Sequence, residues 1–180
     1  MKKFNYSEQD IEVIGLGYVG LPLAVEFSKK RKVIAFDINE SRIRQLKKGI
    51  DKTKEVELQD LDNRNLIYTF DKELLTKCKI FIITVPTPIN KKKEPDLSYL
   101  KQASRTVGNS LTKDSLVIYE STVYPGATEE ICIPILEKFS KLKCTKKNNF
   151  INDGFYCGYS PERINPGDKR RKILFKYANN

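Results

Sequence analysis

Histidine is missing from this 180-residue chain. That absence excludes, within the chain, every mechanism built on a histidine base, the usual lactate or malate dehydrogenase arrangement among them. Paired cysteines are missing too. Cys78, Cys132, Cys144 and Cys157 stand singly, none in a CxxC pair. With no histidine to complete a ligand set, they make no zinc site, and no metal is expected. They read as small, buried, reduced side chains. Long apolar runs are also lacking. The longest, residues 80–85, is far too short to span a bilayer. The opening MKKFNYSEQD has a positive start but no apolar stretch behind it, so it is not a secretion signal. The expectation is a cytoplasmic protein without a membrane partner.

What is present fits one domain of ordinary size. A hydrophobic content of 39% beside 31% charged residues suits a soluble globular chain. The net charge is +10. Much of it lies in short runs: Lys91-Lys92-Lys93, Lys146-Lys147 and residues 169–172. Such runs attract polyanions in general. No aromatic residues interleave with them and no recognition-helix pattern accompanies them. They read as solvated loops, and no nucleic-acid partner is expected.

Hydrophobic spacing predicts strands alternating with helices. Residues 11–14 (IEVI) form a buried strand that opens into a glycine turn, and residues 19–29 carry apolar positions at helical spacing. Residues 32–36 are a second strand. Residues 40–48 are a helix stopped at Gly49. Residues 50–65 are polar and ambiguous, 66–69 a short strand, and 71–77 a short helix. Residues 80–85 (IFIITV) are apolar on both faces, as a central parallel strand is. After a polar loop over 88–95, residues 97–111 read as a helix with Asp96 as its N-cap. A strand over 116–120, a Pro125-Gly126 turn, a helix over 128–139, a basic loop over 141–153 and a strand over 155–159 complete the pattern. The alternation implies right-handed crossovers and an α/β fold: a Rossmann-type, doubly wound parallel sheet with helices on both faces.

The strongest local signal is Gly15-Leu16-Gly17-Tyr18-Val19-Gly20. A glycine triplet of this spacing is weak alone. Here a strand precedes it, a helix opens from it, and the next strand ends in Asp37. Gly15 permits the tight turn, Gly17 lets the backbone approach a pyrophosphate, and Gly20 lets helix and strand pack closely. The helix N-terminus offers free N–H groups to phosphates. Asp37 can accept both hydroxyls of an adenosine ribose, and its charge repels a 2′-phosphate. NAD is therefore favoured over NADP, although Arg42 stands close by. Val85-Pro86-Thr87-Pro88 and Ser121-Thr122 follow predicted strands, so they lie at the carboxyl edge of the sheet, where open α/β folds bind ligands. Ser160-Pro161-Glu162 does the same. By themselves these residues fit turns, caps and a surface acid equally well. Tyr68 and Lys72 match the Tyr-x-x-x-Lys of short-chain dehydrogenases but lie too early, without the supporting serine, and are set aside.

The segments EVIGLGYVGLPLA, FDINESRI, TVPTPI, YESTVYPGATEE and GYSPERINPGDK, in that order, resemble the UDP-glucose/GDP-mannose dehydrogenase family from about residue 11 to residue 169. The wording STVYPG and SPERINPGDK looks like the branch acting on UDP-N-acetylhexosamines in surface-polysaccharide synthesis. The resemblance implies a sugar C6 alcohol oxidised twice by two NAD molecules, through a cysteine-bound thioester that water cleaves. It implies that residues 15–20 hold the pyrophosphate and that Asp37 and Arg42 meet the adenosine end. Residues 85–88 would lie under the ribose and nicotinamide. Ser121 and Thr122 would touch the cofactor, with Thr122 helping to place the catalytic water. Glu162 would act as general base or water-holder. Arg163 pairs with a substrate phosphate or is a surface charge.

None of the four cysteines matches the family's nucleophile motif, and Cys157 alternates with apolar residues as a core position does. The family's active-site lysine, most of its sugar pocket and its dimer-building helix lie beyond the matched stretch. Residues 170–180 (RRKILFKYANN) depart from the pattern after NPGDK and are expected to be an atypical basic tail from a truncated or frameshifted reading frame, following a dinucleotide-binding domain over 1–169. The expectation is the NAD-binding part of a UDP-N-acetylhexosamine 6-dehydrogenase, inactive alone because it lacks a nucleophile. The alternative is a non-catalytic NAD-binding or regulatory module.

Overall fold

The computed structural model describes residues 5–89, 93–145 and 153–160. Strand β1 (Ile11–Ile14) lies mid-sheet, paired in parallel with β2 (Val33–Phe36) on one side and β4 (Ile80–Ile83) on the other. β3 (Leu66–Thr69) extends the sheet beyond β2. β5 (Leu116–Tyr119) and β7 (Gly154–Tyr159) extend it beyond β4, and the two-residue β6 (Lys143–Cys144) forms the far edge. The order is β3-β2-β1-β4-β5-β7-β6 and every pairing is parallel. β1, β2 and β4 are buried at every position. Apart from Glu12 they are apolar at every position rather than in an alternating pattern, as a strand covered on both faces requires.

Helices cover both faces. On one, α1 (Gly20–Ser28) and α2 (Glu40–Lys47) set Leu21, Ala24, Val25, Ile43 and Leu46 against Ile11 and Val13 of β1. On the other, α4 (Ser98–Gly108) and α5 (Ile133–Ser140) set Leu100, Val107 and Leu136 against Ile14, Phe81 and Val117. Each large aliphatic side chain wholly buried in this way contributes about 1.5–3 kcal/mol, so these two layers hold the sheet and the loops at its carboxyl edge are free to serve a ligand. The doubly wound parallel fold expected from the alternation is the fold observed.

Local differences have local causes. The ambiguous stretch before β3 carries one short helix, α3 (Leu58–Leu61), placed by buried Leu61. The short helix before β4 is a 3-10 turn (Lys72–Lys77), its Asp71 carboxylate accepting from the Glu73 amide. Asp96 serves α4 from one place further back than a cap: its carboxylate accepts from the Ser98 amide, and Leu97 holds the cap position. The helix after the Pro125-Gly126 turn begins as a π turn (Thr128–Cys132) before α5. The basic loop expected over residues 141–153 is interrupted by β6. There the Lys143 carbonyl lies so close to Gly154 that a side chain at Gly154 would strike it. Tyr68, set aside as a catalytic tyrosine, is buried and donates to the Leu61 carbonyl at 3.2 Å.

Candidate functional site

The sheet reverses direction between β1 and β4: the chain passes from β1 toward β2 and β3 and later returns to β4 on the other flank. Loops at the carboxyl ends of these two strands diverge and leave a crevice. A cavity of about 560 Å³ lies there. Gly15, Leu16, Gly17, Asp37, Arg42, Val85 and Pro86, all expected at a cofactor site, line it.

Each glycine in the loop has its own reason. Gly15 has φ +95°, a backbone that L side chains rarely adopt, and an added Cβ would sit 3.1 Å from the Thr84 carbonyl oxygen and from Val85 Cγ1. A Cβ at Gly20 would fall onto the Gly15 carbonyl and Thr84 Oγ1. Gly17 is different: nothing lies within 4 Å of the place a Cβ would occupy. Its glycine is not demanded by packing, and the space beside its backbone is open. α1 then starts with no side-chain cap and no acidic residue in its first turn. Pro22 stands in that first turn, where an N–H has no intrahelical partner. Amides at such a terminus carry partial positive charge, and the residues just before it, Gly15, Leu16 and Gly17, line the cavity. Tyr18 is half exposed beside them, and Val19 is buried under the turn.

The loop is held from several sides. The Gly15 amide donates to the Phe36 carbonyl at 2.9 Å. Thr84, buried at the end of β4, places Oγ1 2.7 Å from the Gly15 carbonyl and 3.0 Å from that of Ile14. Asp37 lies just past β2. Its Oδ2 accepts from the Leu16 amide at 2.8 Å and its Oδ1 from the Asn39 amide at 2.8 Å. A carboxylate has about four lone-pair sites, so both oxygens keep capacity toward the cavity.

Arg42, on α2, lies behind the loop. Its Nε donates to the Leu16 carbonyl at 3.0 Å and its Nη2 to Asp51 Oδ1 at 2.8 Å. Nη1 is buried with no hydrogen-bond partner. Asp51 is 1% exposed at its side chain. It also accepts from the Thr53 amide, the Thr53 hydroxyl and the Glu55 amide. Burial works to raise the Asp51 pKa, but the bonds from Thr53 and Arg42 outweigh it and hold the carboxyl below its ordinary value.

The remaining expected residues lie beside the cavity rather than on its wall. Ser121, buried after β5, donates to the Val85 carbonyl at 2.7 Å. The Thr87 hydroxyl donates to the Thr122 carbonyl. These bonds join the ends of β4 and β5, with Pro86 and Pro88 exposed between them. Glu162, Arg163 and the 170–180 tail lie outside the described residues, as do Lys91, Lys92, Lys146 and Lys147. The cysteines keep away from the cavity. Cys78 and Cys132 are buried, and Cys144 and Cys157 half-buried, all with free thiols. Burial pushes the Cys78 thiol up to about 12 and raises Cys132 and Cys157 as well. These three are not disposed to be thiolate nucleophiles. No group of three or more His, Cys, Asp or Glu among the described residues converges as a metal site, and no described helix is long and apolar enough to cross a membrane.

Residue-pattern reasoning missed several members. Thr84 is the lone polar residue in an apolar strand run, a signal that was available. Tyr99, Gln102 and Thr106 of α4 close the opposite wall, and only the facing of that helix reveals them. Asp51, Lys52 and Thr53 fall in the stretch that carries no periodicity. A glycine loop with open space beside Gly17, a helix terminus without a side-chain cap and an aspartate on the wall of the same cavity together fit a dinucleotide.

Residues 9–176 match the UDP-glucose/GDP-mannose dehydrogenase family, NAD binding domain. The chain is 56% identical over 164 residues to UDP-N-acetyl-D-glucosamine 6-dehydrogenase of Pseudomonas aeruginosa, covering 91% of this chain and 37% of that one. It is 58% identical over 161 residues to Protein CapL of Staphylococcus aureus, covering 89% of this chain and 36% of the relative. Among solved structures, UDP-D-ManNAc dehydrogenase of Pyrococcus horikoshii superposes with a TM-score of 0.75 at 36% identity, over 88% of this chain and 37% of that one. The chain thus spans little more than a third of the length of these relatives.

Proposed function

The chain belongs to the UDP-glucose/GDP-mannose dehydrogenase family as its NAD binding domain, and from that premise we propose that it is the NAD-holding part of a UDP-N-acetylhexosamine 6-dehydrogenase. The observation that carries the reading is the open cavity at the β1–β4 divergence, whose wall brings together the unobstructed Gly17 backbone and Asp37, the acid bound to the Leu16 amide. NAD, when bound, supplies the hydride acceptor. The protein's own groups do the rest. Amides of residues 17–20, where the glycine loop opens into α1, bind the pyrophosphate, and the free lone pairs of Asp37 accept from the adenosine ribose. The Leu16 amide donates to Asp37, so the acid and the loop are set together. Val85 and Pro86 form the floor toward the nicotinamide ribose. The Thr87–Thr122 and Ser121–Val85 bonds hold the strand ends that border it. Ser121 and Thr122 serve the cofactor from that border, and Thr122 helps hold water. Glu162, from the SPE motif, is the base or water-holder, and Arg163 meets the substrate phosphate.

The 180-residue chain by itself binds NAD but does not carry a sugar to the uronate. A thioester route needs a thiolate beside the cofactor, and no cysteine lines the cavity. Calorimetric titration with NAD, repeated on Asp37→Ala, tests the cofactor reading. Saturable binding that weakens about tenfold or more in the variant is expected; a folded chain that binds no NAD refutes it. Incubation with NAD and UDP-N-acetylglucosamine tests the second statement. Uronate formation by the unaided chain at an enzymatic rate refutes that.

A further inference from the structure

Arg42 follows Asp37 by five residues, on the helix that opens just after it, and it borders the cavity. In that position a guanidinium is the group that accepts the 2′-phosphate of NADP in place of a ribose hydroxyl. Its hydrogen bonds are directed elsewhere. Nε is bound to the Leu16 carbonyl, Nη2 to Asp51, and Nη1 is buried with no hydrogen-bond partner. Each of the three nitrogens is bound or buried.

We infer that Asp51 is a specificity-determining positioning residue: by holding Arg42 against the back of the glycine loop it withholds the guanidinium from a 2′-phosphate and enforces selection of NAD over NADP. The inference rests on the NAD reading of the cavity and adds to it a residue that lies behind the loop.

The physical case has three parts. Asp51 is 1% exposed and accepts from the Thr53 hydroxyl with both oxygens, at 2.7 and 2.9 Å, and from the amides of Thr53 and Glu55 at 3.0 and 3.1 Å. It is therefore a fixed anion with one cation to satisfy. Arg42 has an 11% exposed side chain, and a charged pair at this depth is screened little by salt or water. The second tie, Nε to the Leu16 carbonyl, acts on the residue whose amide binds Asp37. Asp51, Arg42, Leu16 and Asp37 form one chain of contacts, in which the cation stands behind the loop and the anion in front. Rejection of NADP then has two components: repulsion by Asp37, and the absence of a free cation to offset it. Specificity is a difference of affinities, and withholding an attractive group sharpens it as surely as adding a repulsive one.

Kd values for NAD and NADP, measured by calorimetry on the full chain, test this. Wild type binds NAD in strong preference. Asp51→Asn keeps the shape and an acceptor for Thr53 but loses the charge. The NAD:NADP preference is expected to fall about tenfold, the value of one charge-assisted hydrogen bond gained by the 2′-phosphate. Adding Arg42→Gln to Asp51→Asn should restore the preference, because the freed guanidinium is then gone. A purely structural role for Asp51 would weaken both dinucleotides by the same factor, and that result overturns the inference. A relaxed preference that survives in the double variant also overturns it, since another cation on the cavity wall, Lys52, would then be responsible. Circular dichroism verifies folding. Where Asp51→Asn does not fold, Thr53→Val decides: it loosens the carboxylate without removing its charge, and should relax the preference about threefold. An unchanged preference there refutes the inference. A wild-type chain that binds neither dinucleotide refutes the cofactor reading instead, so the two failures are distinct.

Discussion

Glu12 lies in the middle of β1 with 0% exposure, opposite Ile34 of β2 and Phe81 of β4. Neither carboxylate oxygen has a hydrogen-bond partner. Burial raises its pKa well above the ordinary value of 4.5. The sign follows from linkage. A group with a raised folded pKa contributes stability fully below its unfolded pKa, and that contribution is lost as pH rises through the folded pKa. While the folded carboxyl stays neutral, the unfolded chain gains about 1.4 kcal/mol for each pH unit above the ordinary value, or about 3 kcal/mol by pH 7. Glu12→Gln has the same shape and cannot ionise. Its unfolding free energy relative to wild type should therefore grow by about 2–3 kcal/mol between pH 5 and pH 7, read from urea unfolding at half-unit steps. The window avoids other shifted groups: burial pushes the Cys78 thiol up to about 12, and Asp51, held below its ordinary value of 3.8, loses its contribution only at lower pH. Parallel pH profiles for variant and wild type would refute the reasoning, because they would mean that Glu12 is ionised in the folded chain and has found a partner. Glu12→Met, which removes the polar atoms altogether, should exceed wild type at pH 7 by at least as much.

The two inner glycines of the loop should part company on substitution. Gly17→Ala meets no atom within 4 Å and should leave the melting temperature within about 3 °C while weakening NAD by about tenfold or more, because only the cofactor needs that space. Gly20→Ala collides with the Gly15 carbonyl and Thr84 Oγ1 and should cost about 1–3 kcal/mol in urea unfolding as well as NAD binding. Ser104→Ala removes the hydroxyl that lies 2.7 Å from Tyr119 Oη and leaves the tyrosine hydroxyl in the core. Unfolding should be easier by about 1–3 kcal/mol, with NAD affinity unchanged, since neither residue lines the cavity.

Much of the fold is legible in the residues because one physical requirement repeats. A strand covered on both faces must be apolar throughout, and residues 11–14, 33–36 and 80–83 are, apart from Glu12. The helices announce themselves by spacing and by their ends: Asn39 caps α2 by accepting from the Arg42 amide, and Gly49 past its end has φ +72°. β6 was not legible. Two residues give no periodicity, and its pairing depends on Gly154 lying close to the Lys143 carbonyl across the fold.

The cavity divides in the same way. Gly15, Gly17 and Asp37 are visible because the glycine motif and the acid after the second strand are read from spacing along the chain. Asp51 is invisible for the opposite reason: its role depends on the turn that brings residue 51 back beneath residue 42, and that turn is built from the aspartate's own bonds to Thr53 and Glu55. Arg42 shows how the two kinds of information conflict. Its position in the chain places a cation beside the ribose acid and suggests a ligand contact, whereas its hydrogen bonds commit it to Leu16 and Asp51. A motif records which residue types stand near a ligand; it does not record which of their hydrogen bonds are already taken. For an arginine that distinction is decisive. A guanidinium whose arms are bound or buried excludes a phosphate that a free one would attract, so the same residue at the same position supports opposite cofactor preferences according to the state of its partner.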